Sequence, residues 1–200
     1  MPRPIIRHTP SDAQKRATRN APHQIRIIGG EWKRTPLHVV DLEGLRPTPD
    51  RVRETLFNWL GQDMSGQTCL DLFAGSGALG FEAASRGAAR VVMVERDGRA
   101  AQQLRATQDK LAARTVEVAQ ADALRLAAGL RPGTFDVIFL DPRSRAICWR
   151  VPWRSVCHSS TQAVLSTWRP HCRSRAWPRM SPKTLRCVAA RYFRRCRIGR

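Results

Sequence analysis

The segment from Thr68 to Glu95 constrains this chain more than any other. Cys69-Leu70-Asp71-Leu72-Phe73 is a mostly apolar strand that runs into the glycine loop Gly75-Ser76-Gly77-Ala78-Leu79-Gly80. An alanine-rich helix follows through Glu82 to about Ser85, and Val91-Val92-Met93-Val94 is a second buried strand ending at Glu95. A G-x-G-x-x-G loop placed between strand and helix, with an acid at the next strand end, is a setting for a dinucleotide or related cofactor. Glycine lets backbone approach a ligand closely, and Glu95 at that strand end can accept from both ribose hydroxyls. These residues imply an adenosine-containing cofactor without choosing between a nicotinamide dinucleotide and a methyl donor.

The alternation continues. Arg99 to Arg114 reads as a helix with Leu104 and Leu111 on one face, Val116-Glu117-Val118 as a third strand reaching Asp122, and Ala123 to Leu130 as a helix. Phe135 to Leu140 is a fourth strand ending at Asp141. Strands spaced by helices predict a mostly parallel sheet with right-handed crossovers, an α/β fold of Rossmann-like type. Upstream, the chain is β-rich: Ile25 to Ile28 and Leu37 to Val40 read as short strands around a Gly29-Gly30 turn. Leu45 to Leu60 then changes period. Thr48 is predicted as the helix cap and Pro49 as its first residue, where a missing N–H costs nothing. Val52, Leu56 and Leu60 form its apolar face, with Phe57 and Trp59 beside them and Arg51, Arg53 and Glu54 interleaved.

The carboxylates help to choose the cofactor. Asp71 lies four residues before Gly75, where it can meet the amino end of a methionine moiety, and Asp122 is placed to face an adenine amino group. Acids crowding the site would repel a pyrophosphate and attract a sulfonium, so electrostatics favours a methyl donor. The bland alternatives are a tight packing turn for the loop and a loop-capping role for Asp71.

Two compositions meet near Pro142. Residues 1–142 hold 20 Lys and Arg against 16 Asp and Glu, whereas residues 143–200 hold 15 basic residues and no acid. Of the six cysteines, Cys69 alone lies upstream; Trp149, Trp153, Trp168 and Trp177 also lie in the tail. The predicted organisation is a basic arm over 1–24 and a domain over 25–142, divided into a β/helix segment 25–66 and a cofactor core 67–142. Residues 143–200 form an Arg/Cys/Trp-rich tail read as out of frame or disordered. Ala163-Val164-Leu165 is its longest apolar run, so the sheet is expected to stop at the fourth strand and leave an apolar edge. A frame shift after Pro142, an Arg-rich RNA-binding extension and a zinc module are the competing readings of this tail. Its cysteine spacing contains no C-x-x-C pair and no metal site is assigned. No stretch approaches the ~20 apolar residues of a membrane span, and a cytoplasmic chain is expected, with a mitochondrial presequence as the rival reading of the arm.

A specific resemblance emerges from these residues. Asp71 to Gly80, Glu95 and Asp141-Pro142 resemble the motifs of amine-methylating Rossmann-like methyltransferases. Arg26-Ile27-Ile28-Gly29-Gly30 and the run Leu45 to Leu60 resemble one family, the bacterial 16S rRNA guanine-N2 methyltransferases, and the likeness covers about residues 24–142. The resemblance implies S-adenosylmethionine as cofactor, held by Asp71, Phe73, Ala74, Gly75, Gly77, Glu95, Arg96, Asp122 and Ala123. It implies Asp141 and Pro142 as the catalytic pair that accepts the two N–H bonds of an exocyclic amine. Thr48 and Arg51 would line the site, or serve merely as helix cap and surface charge, and Lys33, Arg34 and the basic arm would contact phosphates. The implied partner is 16S rRNA or the assembling small ribosomal subunit, and a monomer is expected.

That family's motif is Asp-Pro-Pro followed by an aromatic residue. Here Arg143 stands for the second proline and Ser144 for the aromatic, so inactivity is the expectation for this chain. A non-catalytic, basic RNA-binding remnant and a nicotinamide-dependent oxidoreductase are the alternative functions.

Overall fold

The computed structural model describes residues 24–40, 48–142, 160–165 and 188–189. The arm, the segment 41–47 and the rest of the tail, including Arg143, Ser144 and all the tail cysteines, lie outside the described residues. Two antiparallel strands come first, β1 (Gln24–Arg26) and β2 (Pro36–His38), paired with Ile25 opposite Leu37. Helix α1 (Asp50–Leu60) follows, then β3 (Thr68–Asp71), α2 (Ala78–Ser85), β4 (Arg90–Glu95), α3 (Gly98–Lys110), β5 (Val116–Gln120), α4 (Ala123–Ala128) and β6 (Phe135–Leu140). The backbone of β7 (Ser160–Leu165) and β8 (Val188–Ala189) extends the sheet. Its order is β5-β4-β3-β6-β7-β8, and every pairing is parallel.

This is the parallel Rossmann-like sheet that the strand–helix alternation predicts. The predicted elements are found within a few residues of their expected ends, and the fourth predicted strand is recovered as β6 over Phe135–Leu140. The sheet does not stop there. β7 pairs along β6 from Phe135 opposite Ser160 to Leu140 opposite Leu165, so β6 is an interior strand among the described residues. The run Ala163-Val164-Leu165 falls inside β7. An open parallel edge carries unpaired N–H and C=O groups that an extended, β-prone segment satisfies.

Each face of the sheet has its own core. Cys69, Val91, Met93, Val116, Val137 and Phe139 point to the side covered by α1, α2 and α3, where Leu56, Phe57, Phe81 and Leu104 meet them. Leu70, Leu72, Val92, Val94, Ile138 and Leu140 face the other side and pack with Ala123 and Ala127 of α4. Strand side chains alternate, so buried strands must be apolar on both faces. Burial, with Asp136 and Asp71 nearby, pushes the Cys69 thiol up to about 12, which leaves it an inert core residue.

The β1–β2 hairpin is held to the domain by polar contacts that centre on one buried acid. Glu82 on α2 has no exposed side-chain surface; it accepts from the amides of Ile28 and Gly29, each at 2.8 Å. Arg86 reaches it at 2.7 Å and Arg53 at 3.4 Å. Arg53 itself is fully buried and donates also to the Arg26 carbonyl at 2.8 Å and to Asp50 at 2.7 Å. Arg53 reads from sequence as one of the polar residues interleaved with the apolar face of α1; the fold turns it inward because Leu56 and Phe57, three and four residues on, share its buried face. Gly30 adopts φ +76°, and a Cβ there would collide with the Ser85 carbonyl. That close approach lets the Glu31 amide donate to the Ser85 carbonyl at 2.7 Å and the Trp32 amide to its hydroxyl at 2.9 Å.

Removing Glu82 strands two buried guanidinium groups and two amides. Glu82→Ala is expected to destabilise the chain by about 3–5 kcal/mol, the typical result of breaking a buried ion pair. Arg90→Ala, which removes the bidentate but exposed pair with Glu117 across β4 and β5, is expected to cost less than about 1 kcal/mol. Denaturant unfolding of the two variants measures both, and equal losses would contradict the central place given to Glu82.

Candidate active site

Asp71, Glu95 and Asp141 come together because three adjacent parallel strands end at one edge. Asp71 is level with Met93 on β4 and with Phe139 on β6. Glu95 and Asp141 therefore each lie two residues beyond it on the flanking strands. On the outer side, Gln120 is level with Glu95, and Asp122 follows two residues later. Ligands of open parallel sheets bind outside the carboxyl ends of the strands, where the strand order reverses. Here the reversal falls between β3 and β6, at Asp71 and Asp141.

The glycine loop links β3 to α2 at this edge. Gly75 and Gly77 have φ of +54° and +76°, values that disfavour other residues. A Cβ on Gly77 would lie 2.6 Å from Phe81 and 2.7 Å from Leu104, and one on Gly80 would lie 2.6 Å from the Met93 side chain. The second and third glycines thus permit close packing of α2 as well as the turn itself. Phe73 is half-buried and Ala74 buried in this loop, with the Ala74 amide donating to the Val94 carbonyl at 3.0 Å.

All three of Glu95, Asp122 and Asp71 accept from backbone amides, and Asp71 alone keeps a buried oxygen without a partner among the described residues. Glu95 is buried and accepts from the amides of Gly75 and Asp97, each at 2.9 Å, which ties the loop to the end of β4. Asp122 accepts from Leu124 and Arg125, each at 3.0 Å, and so caps α4, where Ala123 is the first residue. Asp71 is buried; one oxygen accepts from the Gly80 amide at 3.1 Å, and Oδ1 has no hydrogen-bond partner among the described residues. Burial, then the charge of Asp141 and that of Glu95, pushes the Asp71 carboxyl up to about 7 against the pull of the Gly80 and Phe73 amides. A buried carboxylate oxygen without a donor is costly, and a cationic ammonium would relieve it. This unpaired acceptor therefore fits a cofactor with a cationic amino-acid end.

Of the two roles expected of Thr48, the structure contradicts the helix cap. Pro49 occupies the cap position of α1 and no side chain caps the helix. The Thr48 hydroxyl instead donates to Asp141 Oδ2 at 2.5 Å. Asp141 is half-buried and Pro142 buried. Arg51 and Arg96 are exposed. Lys33 and Arg34 are exposed in the hairpin turn, which is bonded to Ser85. They sit at the opposite end of α2 from the glycine loop, so they are not brought to Asp141. Sequence reasoning missed Glu82 and Arg53 as organisers of this region; an acid and an arginine in otherwise apolar helical faces were the signal available.

Asp71 makes the ligand-free fold sensitive to pH. A carboxyl whose folded pKa lies above its unfolded value binds its proton more tightly in the folded state, so stability falls as pH rises between about 4 and 7. Asp71→Asn is accordingly expected to raise the melting temperature of the ligand-free chain at pH 8 by several degrees and to change it little at pH 5. Scanning calorimetry at the two pH values checks this, and an equal effect at both would remove Asp71 as the source.

Residues 25–146 match the family described as Conserved hypothetical protein 95. Ribosomal RNA small subunit methyltransferase D of Escherichia coli K12 is 46% identical over 132 residues, which are 66% of this chain and 66% of that protein. The chain thus aligns with just under two thirds of the length of that relative. The protein of the same name in Haemophilus influenzae is also 46% identical over 132 residues, 64% of this chain and 68% of its own. Among solved structures, the yhhF protein of Escherichia coli superposes with a TM-score of 0.56 at 43% identity, covering 62% of this chain and 66% of that one. The family resemblance carried by the glycine loop, the Arg26 to Gly30 segment and the Leu45 to Leu60 run is borne out. The chain belongs to the Conserved hypothetical protein 95 family, with ribosomal RNA small subunit methyltransferases D among its relatives.

Proposed function

We propose that residues 25–142 form the cofactor- and amine-binding part of an S-adenosylmethionine-dependent enzyme that methylates the exocyclic N2 amine of a guanine in 16S rRNA during small-subunit assembly. The observation that carries this reading is the position of Asp141-Pro142, at the end of β6 and two residues beyond the level of buried Asp71, whose Oδ1 has no hydrogen-bond partner among the described residues. Asp71 would hold the amino end of the cofactor, Glu95 the ribose, and the glycine loop with Phe73 and Ala74 the remainder. Arg96, Asp122 and Ala123 would border the adenosine side. When bound, S-adenosylmethionine supplies a methyl group on a sulfonium sulfur.

The chain's own residues do the rest. A ring-conjugated amine is a weak nucleophile, and acceptors on its two N–H bonds turn its lone pair toward the methyl carbon. Asp141 and the Pro142 carbonyl are those acceptors in this reading, and alignment for in-line transfer supplies much of the acceleration. The basic arm, Lys33, Arg34 and Arg51 would meet phosphates.

Arg143 and Ser144, in place of the second proline and the aromatic, remove the surface on which the base would stack, so turnover by this chain is low in the proposed reading. The family likeness ends at residue 146, close to the change in composition, which supports reading the tail as a shift of frame. Resequencing the gene across the Pro142 codon and translating the other frames tests that. A frame continuing with Pro and an aromatic supports it, and stops in both alternatives defeat it. The acid-free tail also favours a second reading, a non-catalytic RNA-binding remnant, which predicts RNA affinity falling steeply with salt and no methyl incorporation.

Transfer of tritiated methyl from S-adenosylmethionine to unmodified 16S RNA, free and assembled with small-subunit proteins, tests the main reading. Asp141→Ala is expected to lower turnover by about 100-fold or more while cofactor affinity by calorimetry stays within about threefold of the parent, since Asp141 is assigned to the amine. Unchanged turnover would defeat the assignment.

A further inference from the structure

We propose that Thr48 is a positioning residue for the Asp141 carboxylate, held by buried Arg53, so that the β1–β2 hairpin is a structural part of the catalytic centre. The proposal rests on the reading of Asp141 given above. Thr48 and Asp141 are 93 residues apart, and the threonine hydroxyl donates to Asp141 Oδ2. That leaves Oδ1 to accept an N–H from the substrate amine.

The donor type suits the task. Asp141 lies near enough to Asp71 for its charge to raise that carboxyl, with Glu95 adding to the effect. Repulsion among three acids would turn Asp141 away from the position where it meets an amine. A lysine or arginine could hold it, but such a cation would compete with the substrate for the carboxylate charge. A neutral hydroxyl fixes one oxygen and leaves the charge available. Threonine restricts its own χ1 because Cβ is branched, which narrows the direction of the hydroxyl further.

Thr48 is itself held from two sides. Pro49 follows it and limits its backbone to extended conformations. Its carbonyl accepts from Arg53 Nε at 3.3 Å. The same guanidinium donates to the Arg26 carbonyl of β1, to Asp50 and to Glu82 of α2. Arg26 in turn pairs with Asp50 at 3.0 Å. A continuous set of contacts thus runs from β1 through Arg53 and Thr48 to Asp141. Movement of the hairpin, which carries Lys33 and Arg34, would be felt at the carboxylate.

The test uses Thr48→Val and Thr48→Ser in the full chain, with the methyl-transfer assay on unmodified 16S RNA, cofactor calorimetry and thermal unfolding run in parallel. Thr48→Val is expected to lower kcat by roughly 10- to 100-fold, the scale of a misplaced catalytic group, with RNA KM and cofactor affinity within about threefold of the parent. Thr48→Ser is expected to recover kcat to within about threefold of the parent. Unchanged kcat in Thr48→Val, or a serine variant as impaired as the valine, overturns the proposal. So does a loss of kcat matched by equal losses of cofactor affinity and folded fraction. If the parent chain transfers no methyl group, the activity reading fails by itself. The contact is then read from unfolding of Thr48→Val, Asp141→Ala and the double variant. Additive effects would overturn the proposal, and a Thr48→Val effect that shrinks when Asp141 is absent supports it.

Discussion

A fully buried glutamate has to be answered from all sides, and Glu82 organises this domain because it is. The cost of removing a carboxylate from water is several kcal/mol unless charge and hydrogen bonds replace the solvent. Two guanidinium groups and two backbone amides do so here, from α1, α2 and the segment after β1. The amides come from the segment after β1, Arg53 from α1 and Arg86 from the end of α2, so satisfying one acid fixes these elements in one arrangement. The cation of Arg86 also lies over the Phe57 ring, 4.8 Å from its centre, and Phe57 packs on Phe139 of β6 at 5.9 Å. The polar hub and the apolar core are continuous.

The same logic explains why the site edge is acidic. Parallel strands of similar register deliver their last residues to one side, and in this chain those residues are Asp71, Glu95 and Asp141 with Asp122 beyond. Glu95 and Asp122 are partly neutralised by amides at loop and helix starts. Asp71 keeps one oxygen without a hydrogen-bond partner among the described residues, and in the proposed reading the cofactor's ammonium would meet it there. On that reading Asp71 would raise the energy of the ligand-free fold and bind a cation in return, so that stability and binding trade against each other.

Period and punctuation made much of the fold legible. Apolar strands, a glycine loop and alanine-rich helical spacing are local signals, because backbone propensity and side-chain burial act over a few residues. They located the four strands β3 to β6 and the edge where Asp71, Glu95 and Asp141 meet, since acids at successive parallel strand ends must share a side. The role of Asp122 as a helix cap was less legible, because the same acid in the same place can face a ligand or a helix amide.

What tertiary structure decided lies in pairs far apart in sequence. Thr48 reads locally as a cap before Pro49, yet Pro49 takes the cap position and the Thr48 hydroxyl donates to the distant Asp141 carboxylate. Arg53 reads as one more polar residue of α1, yet Glu82 and the Arg26 carbonyl draw it fully inside. Neither outcome has a local signature, because a hydrogen-bonding side chain chooses among partners that only the assembled chain brings within reach. By itself the sequence determined the parallel sheet, its glycine loop and the acids along its edge, through short-range pattern. The partners of Thr48, Arg53 and Glu82 were decided only by packing, through the need to pair every polar group that the core encloses.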